Sequence, residues 1–562
     1  MIPQNKTNEE QLDELDNCLL SDKELKKIMN IKIEFDSNLK ELNFLTNYEG
    51  NENNTILNDI NLTNTIFGKN ILQKQIVNYK YDKKKIDKIK KIIKFIKKNK
   101  IKINFKQLND NTNNVLWFFK KIDENFKSIL EQLYFNLPIE KLNNILNSHK
   151  VPLNISSIYN IYIYPITNIL GPIISIIVPY ILLRVYGLQI PFTFFYEMIK
   201  KYITGLKDPK RLFSTILYIG IYLYSVYKNF RQAYDLKKLI NIFQNKIICL
   251  DKFTSEVVNI YETFKDFYQI EGIDELLNEL KNIPKEMKTF MLTGNILYFI
   301  NKYRNYDKFV EMFNIVGEID LIYNIKKLTD KDYCFVKFTK KTKPVIIFKK
   351  MAHPSLTDPI YNNVKIVGKN CMITGPNAAG KSTFIKGLVS NIILAQTFGI
   401  SRCSYAKITP FDYIKTHLNT PDVINEQSLF EAEMYKCKEI ISSIKNNKNK
   451  SLIILDELFS STNYREGYAA SAAIMKKIND YSNTCTIITT HYEKLPYYAK
   501  KLGFKNFMFP IKRNKTNGLL FPYKIKKGIS QDFVALEILK MNDYDSDIIN
   551  NAIKISKSFN FS

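Results

Sequence analysis

The sequence predicts an α/β domain of the P-loop NTPase type in the C-terminal third, behind a mostly α-helical core that carries an apolar insertion. Three observations predict it. A GxxxxGKS segment, Gly375 to Ser382, follows an apolar stretch and opens a helical one. A second apolar run, Ser451-Leu-Ile-Ile-Leu455, ends in the carboxylate pair Asp456-Glu457. Ahead of both, apolar residues recur at helical steps and are interrupted by a long uncharged block.

The 562 residues suffice for two to four domains, each with its own core. Net charge is +27, which in isolation points to nucleic acid or an anionic membrane surface. Lys, Asn, Ile and Tyr are over-used together, as an AT-rich coding bias would produce, so part of that charge is compositional. The seven cysteines (18, 249, 334, 371, 403, 437 and 485) form no CxxC and no Cys/His cluster. Their scatter argues against structural zinc and against a disulfide framework, and for reduced thiols. The polar, acidic start (Glu9, Glu10, Asp13, Glu14, Asp16) is neither a secretory signal nor an Arg-rich transit peptide. A cytoplasmic or nuclear site for the C-terminal domain follows as an expectation, with membrane association open.

Residues 1–45 read as a polar N-terminal segment and 46–150 as the first part of the helical core. Within it Ile86, Ile89, Ile92, Ile93 and Ile96 repeat at three- and four-residue steps, among thirteen lysines from Lys80 to Lys106. Such a basic amphipathic helix can contact DNA phosphate or lipid headgroups, with Lys90, Lys91, Lys94, Lys97 and Lys98 as the candidates, or it is a solvated face.

Residues 151–230 form the apolar segment. No charged residue occurs from Val151 through Leu183, Val185–Tyr196 adds a second apolar piece, and Leu212–Tyr227 is uncharged again. About twenty apolar residues cross a bilayer as a helix, so the first run is long enough and the last is marginal. Pro152, Pro165, Pro172 and Pro179 each remove a backbone donor, which favours a broken hairpin or re-entrant element over one straight span. The alternative is a buried core of Ile and Tyr.

Residues 231–345 contain a long helix, predicted over 236–267. Leu236, Ile240, Phe243, Ile247, Leu250, Phe253, Val257, Ile260, Phe264 and Phe267 recur at about 3.5 residues, a seam of roughly 45 Å. Short β-like runs, Cys334–Thr339 and Pro344–Phe348, then lead into a domain at 346–545. A tail of 546–562 follows.

In that domain Gly375, Pro376, Asn377, Ala378, Ala379 and Gly380 supply a loop whose backbone N–H groups can turn around phosphates. Lys381 would reach the β and γ oxygens of ATP, and the Ser382 hydroxyl, followed by Thr383, would join a Mg²⁺ shell. Asp456, seventy-five residues after Lys381, would hold Mg²⁺ through water, and Glu457 would polarise the attacking water. A further strand, Thr484 to Thr490, ends at His491, which can sense the γ-phosphate. The other histidines (149, 353 and 417) read as structural or exposed. ATP and Mg²⁺ are the implied cofactors, and ATP hydrolysis is the implied reaction.

These motifs together resemble the ATPase domain of the MutS family. Its phosphate loop, TGPNxxGKST, is matched by Thr374 to Thr383, and its THY by Thr490-His491-Tyr492. Leu455-Asp456-Glu457 matches its LDE. Thr462 and Gly467 keep part of the GRGTS pattern that follows, while its glycines and arginine are lost. His353-Pro354 matches the HP that precedes the domain, and Glu318-Ile-Asp-Leu321 looks like the end of the lever helices. Ser428-Leu-Phe-Glu-Ala-Glu-Met434 resembles STFMVEM, with Gln427 before it and Glu426 in place of the usual glycine. The resemblance implies an ABC-type domain and a homodimer or paralogous heterodimer, in which Ser428 contacts the nucleotide of the opposite subunit.

Asn61-Leu-Thr-Asn-Thr-Ile-Phe-Gly-Lys-Asn-Ile-Leu72 looks like the TxTxxGxxxL opening of the family's core domain. That leaves no room for the mismatch-reading and connector domains, and Phe195-Tyr196-Glu197, though similar to the family's FYE, lies inside the apolar block. The resemblance spans roughly 45–110 and 235–545. It implies a DNA-binding ATPase, a dimeric clamp of mismatch repair or recombination. The apolar block, where the DNA-gripping clamp would stand, keeps a second reading open: a membrane-anchored ATPase without mismatch recognition.

Overall fold

The structure, a computed structural model, describes residues 21–29, 37–46, 54–118, 134–188, 191–204, 209–268, 308–341, 343–418, 429–446, 449–513, 519–530 and 545–558, with the isolated positions 13, 16, 31, 294, 296–298, 534 and 537. The chain divides into two compact units. One comprises Met1–Met29 with Ile103–Phe313, the other Asn30–Lys102 with Asn314–Ser562.

The second unit is built on a six-stranded sheet. Its order is Lys526–Lys527, Lys505–Met508, Cys371–Thr374, Thr484–Thr489, Ser451–Leu455 and Tyr413–His417. All neighbours are parallel except the short Lys526–Lys527 edge strand. The central strands CMIT, TCTIIT and SLIIL are buried at every position, which explains why they read as continuous apolar runs rather than alternations. The strand before the phosphate loop and the strand before Asp456 are not neighbours. Thr484–Thr489 lies between them, with Ile488 registered against both Met372 and Leu455.

The helix Lys381–Phe398 follows the phosphate loop and is buried along nearly its whole length, polar Ser390, Asn391, Gln396 and Thr397 included, so it does not show the two-faced pattern of a surface helix. A four-stranded sheet of Lys337–Phe338, Tyr405–Ile408, Val345–Met351 and Asn362–Val367 belongs to the same unit. The β-like runs expected at 334–339 and 344–348 are these strands and Tyr333–Phe335.

Helical elements complete this unit. In the helix Lys83–Asn99 the five isoleucines of the predicted stripe are all buried, and Asp82 caps its first N–H groups. The helix Ile66–Val77 is capped by Thr65, whose hydroxyl and N–H both donate to Asp320. Asp320 is fully buried and also accepts from the N–H and side chain of Asn64. A Cβ on Gly68 would lie 2.3 Å from its carboxylate. The TxTxxG opening and the Glu318–Leu321 segment, recognised separately in the sequence, are thus two halves of one contact.

The first unit is helical. The helix predicted over 236–267 runs from Pro209 to Phe264 and ends in a 3-10 turn, Lys265–Phe267. Of the nine seam residues from Leu236 to Phe264, eight are buried to 2% exposure or less and Ile240 to 7%, and Phe267 lies beyond the helix end. Trp117 of the helix Phe105–Trp117 meets Phe243 at 5.4 Å between ring centres. Buried Lys246 donates to Asn114 Oδ1 at 2.9 Å.

Residues 151–230 do not form a buried core. They comprise the helix Lys150–Ile158, a π-helical turn Tyr159–Ile163, the helices Tyr164–Val185 and Phe192–Thr204, and the start of the long helix. Most of their large apolar side chains are exposed. The π turn ends two residues before Pro165, which has no N–H to continue the ladder. Among the described residues no single helix is long and apolar enough to cross a membrane, but Lys150–Ser175 with Ile177–Val185, bent by 59°, reaches that length and composition as a pair.

Candidate active site

The phosphate loop joins the buried strand Cys371–Thr374 to the helix Lys381–Phe398. Gly380 caps that helix with φ 89°, a left-handed conformation that a glycine adopts freely, and a Cβ there would lie 2.9 Å from the Tyr523 ring. Ala378 is also left-handed, at φ 64°. The Lys381 ammonium folds back over the loop and donates to the carbonyls of Gly375 at 2.8 Å and Pro376 at 3.1 Å. Burial pulls its pKa below the ordinary lysine value, against the opposing pull of Glu457 and Asp456.

Ser382 Oγ donates to Asp456 Oδ2 at 2.9 Å, so the two expected metal ligands are adjacent. The other Asp456 oxygen accepts from the Thr489 hydroxyl. Thr489 also accepts from the Glu457 N–H at 2.9 Å. The intervening strand therefore fixes the Asp456 carboxylate and the Glu457 backbone through one hydroxyl. Glu457 has φ 54°, uncommon for a residue with a side chain and found where surrounding structure holds a functional group in place. Its Oε1 lies 3.5 Å from Lys381 Nζ and accepts from His491 Nε2. Burial pushes the Glu457 carboxyl up, but His491 and Lys381 outweigh burial and hold it below the usual value.

The cavity over the loop measures about 700 Å³, within the range of nucleotide-sized pockets. Pro376, Asn377, Ala378, Gly380, Lys381, Ser382, Thr383 and Glu457 line it. Gly375 and Ala379 lie beneath, Gly375 accepting from Lys381 and Ala379 buried. Asp456 and His491 join through Ser382 and Glu457. Ser428 lies outside the described residues. Of the candidate lysines, Lys90 turns inward to the Val336 carbonyl at 3.4 Å, Lys97 pairs with Asp330 at 2.7 Å, and Lys91, Lys94 and Lys98 are exposed.

The far wall was not foreseen. His353, Leu356, Asp358, Ile360, Asn362 and Tyr523 are among the residues that line the cavity there. His353, read as structural or exposed apart from its HP motif, lines it. Burial, with Lys386 and Arg402 nearby, lowers its pKa to about 4. Its Nδ1 accepts from the Ser355 N–H at 3.2 Å, which leaves the neutral ring its proton on Nε2. Arg402 donates to the carbonyls of His353, Pro354 and Leu356, and so fixes that segment. Asn362 ties in Tyr523 by donating to its carbonyl at 3.0 Å and accepting from the Ile525 N–H at 2.8 Å. The His353-Pro354 dipeptide was a signal for the first of these; nothing local in the sequence marks Tyr523.

A phosphate loop, two carboxylates on the next strand but one and a nucleotide-sized cavity define an NTPase site, and the match to known proteins decides its kind. Residues 371–560 match MutS domain V. This part of the chain is similar to MutS domain V. MutS domain V is an ABC-type ATPase domain. The chain is 32% identical over 196 residues to the DNA mismatch repair protein MSH3 of Saccharomyces cerevisiae, covering 34% of this chain and 19% of that one. It is 30% identical over 249 residues to the DNA mismatch repair protein MutS of Fusobacterium nucleatum, covering 42% of this chain and 27% of that one. The aligned region thus spans about a quarter or less of these relatives' length. In MutS domain V terms, Gly467 and Tyr492 of the GRGTS-like and THY segments meet: Tyr492 Oη donates to the Phe459 carbonyl at 2.6 Å, and a Cβ on Gly467 would strike that hydroxyl.

Proposed function

We propose that the chain binds ATP with Mg²⁺ at this site and hydrolyses it. The observation that carries the reading is the linked set Lys381, Ser382, Asp456 and Glu457, held around one loop by Thr489. The residues fit the cofactors: the loop offers N–H groups and an ammonium to the phosphates, and Ser382 with Asp456 forms the sparse oxygen pair that suits Mg²⁺, which keeps several waters. Mg²⁺ there would neutralise charge on the phosphate oxygens. Lys381 would leave the Gly375 and Pro376 carbonyls for phosphate, Glu457 would orient and deprotonate the attacking water, and His491 would hold Glu457 in place. The adenine would rest against the wall of His353 and Tyr523.

ATP would close two such domains on each other, with Ser428 reaching the partner's nucleotide and the long helix transmitting the change. A role in DNA mismatch repair is favoured by the names of the relatives, and DNA contact, in repair or recombination, by the exposed Lys91, Lys94 and Lys98. A cytoplasmic or nuclear domain suits that role. The test of the core reading is Lys381→Ala in the purified chain, measured for ATP affinity and phosphate release. Loss of both is expected, and full retention of both removes the reading.

A further inference from the structure

The apolar segment has a surface that a water-soluble unit does not ordinarily present. Ile173, Ile181, Ile216, Leu217, Phe213 and Tyr218 are between 51% and 71% exposed, on two helices of the same unit that pack together. Exposed apolar surface on this scale marks a binding face for protein or lipid. The long helix makes the contrast within itself: from Leu212 to Phe230 no side chain described is buried, while from Ala233 onward buried residues recur every three or four positions. The same helix is therefore built for two different surroundings.

Three features select lipid as the occupant. The first is backbone satisfaction. Pro172, inside the helix Tyr164–Val185, leaves the Asn168 carbonyl without its helical donor. Tyr222 of the long helix donates to that carbonyl at 3.0 Å and to the Ile169 carbonyl at 2.7 Å. The Thr167 and Ser175 hydroxyls are likewise turned onto carbonyls of their own helix, Tyr164 and Pro172. A protein partner or water could satisfy these groups, but hydrocarbon cannot, and only in hydrocarbon is internal satisfaction obligatory. The second is charge. The apolar pieces contain no carboxylate from Val151 to Leu183 or from Leu212 to Tyr227, and basic residues stand at their ends, among them Lys150, Arg184, Lys210 and Lys228. Cations at the ends of apolar helices suit anionic headgroups. The third is shape. The 59° bend between Ser175 and Ile177 falls where Pro179 withholds the helical donor from the Ser175 carbonyl, giving an element that enters and turns.

We propose that the helices of residues 151–230 insert into a lipid bilayer as a proline-bent hairpin, entering through a basic rim. The proposal does not depend on the ATPase reading. Its test is flotation of the purified full chain with vesicles of phosphatidylcholine, with and without phosphatidylserine, followed by washing in molar salt and in alkaline carbonate. The chain should float, more completely with phosphatidylserine, and survive both washes. The double variant Ile173→Asp, Ile216→Asp changes two exposed positions and should keep the thermal midpoint and ATP affinity of the unaltered chain, while its partition falls about a hundredfold or more, since a carboxylate in the apolar core is so costly. Three results overturn the proposal. The chain remains at the bottom of the gradient. It floats but is stripped by molar salt, which would mean attraction to headgroups alone. Or it forms a lipid-independent oligomer that the double variant dissolves, which would make the face a contact between copies.

Discussion

Lys381 Nζ stands 3.5 Å from Glu457 Oε1, the same oxygen that accepts from His491. The expected phosphate-binding cation and the expected base are thereby coupled, and what alters one charge alters the other. Phosphate would draw Lys381 away and leave Glu457 with His491 as its remaining hydrogen-bond partner.

Glu457→Gln should keep the hydrogen-bonding shape and lose the base. We expect ATP affinity within about threefold of the unaltered chain and turnover lower by about 10²–10⁴-fold, the usual worth of a positioned base. Equilibrium nucleotide binding beside steady-state phosphate release separates the two. Unchanged turnover would remove Glu457 from the chemistry.

The pH dependence follows from the same contacts. The folded Glu457 pKa lies below its ordinary 4.5, because His491 and Lys381 outweigh the opposing effect of burial. The stability this contributes is present above the unfolded carboxylate value and is lost as pH falls through the lower folded value. His491→Ala removes the largest stabilising contact, so burial regains weight and the folded pKa rises. The acid limb of a kcat profile should then move to higher pH than in the unaltered chain.

Tyr523 tests the far wall. Tyr523→Ala should raise KM for ATP about tenfold or more with kcat little changed, as loss of one base–ring contact worth roughly 1–3 kcal/mol requires. Asn362→Ala should do the same less strongly, by releasing the segment that carries Tyr523.

Asp320→Ala would leave the N–H and hydroxyl donors of Asn64 and Thr65 without their buried acceptor. A destabilisation of about 3 kcal/mol is expected, read as a lower denaturation midpoint at unchanged m value. Nucleotide affinity should not change under conditions where the variant is folded.

The DNA reading is checked by salt. Replacing Lys91, Lys94 and Lys98 by Ala should flatten the dependence of log affinity on log salt by about 3 if all three meet phosphates, and an unchanged slope would exclude the helix from contact.

The sequence by itself determined what is local in the chain. A phosphate loop is one continuous segment, so Gly375 to Thr383 could be recognised from spacing and context. The Ser451–Leu455 strand was legible because burial on both faces demands an unbroken apolar run. The isoleucine stripe of Lys83–Asn99 and the seam from Leu236 to Phe264 were legible because 3.6-residue periodicity survives in the letters.

Only the tertiary structure decided which distant residues share a site. Thr489 ties Asp456 to Glu457 because its strand is inserted between the two that carry the motifs, an order that no spacing encodes. Tyr523 reaches the cavity because Asn362, far away in the chain, holds its segment. The apolar block shows the division most clearly. Its letters say that it avoids charge, but a buried core and a lipid-facing hairpin are written with the same residues, and only packing tells which side chains are left without protein neighbours.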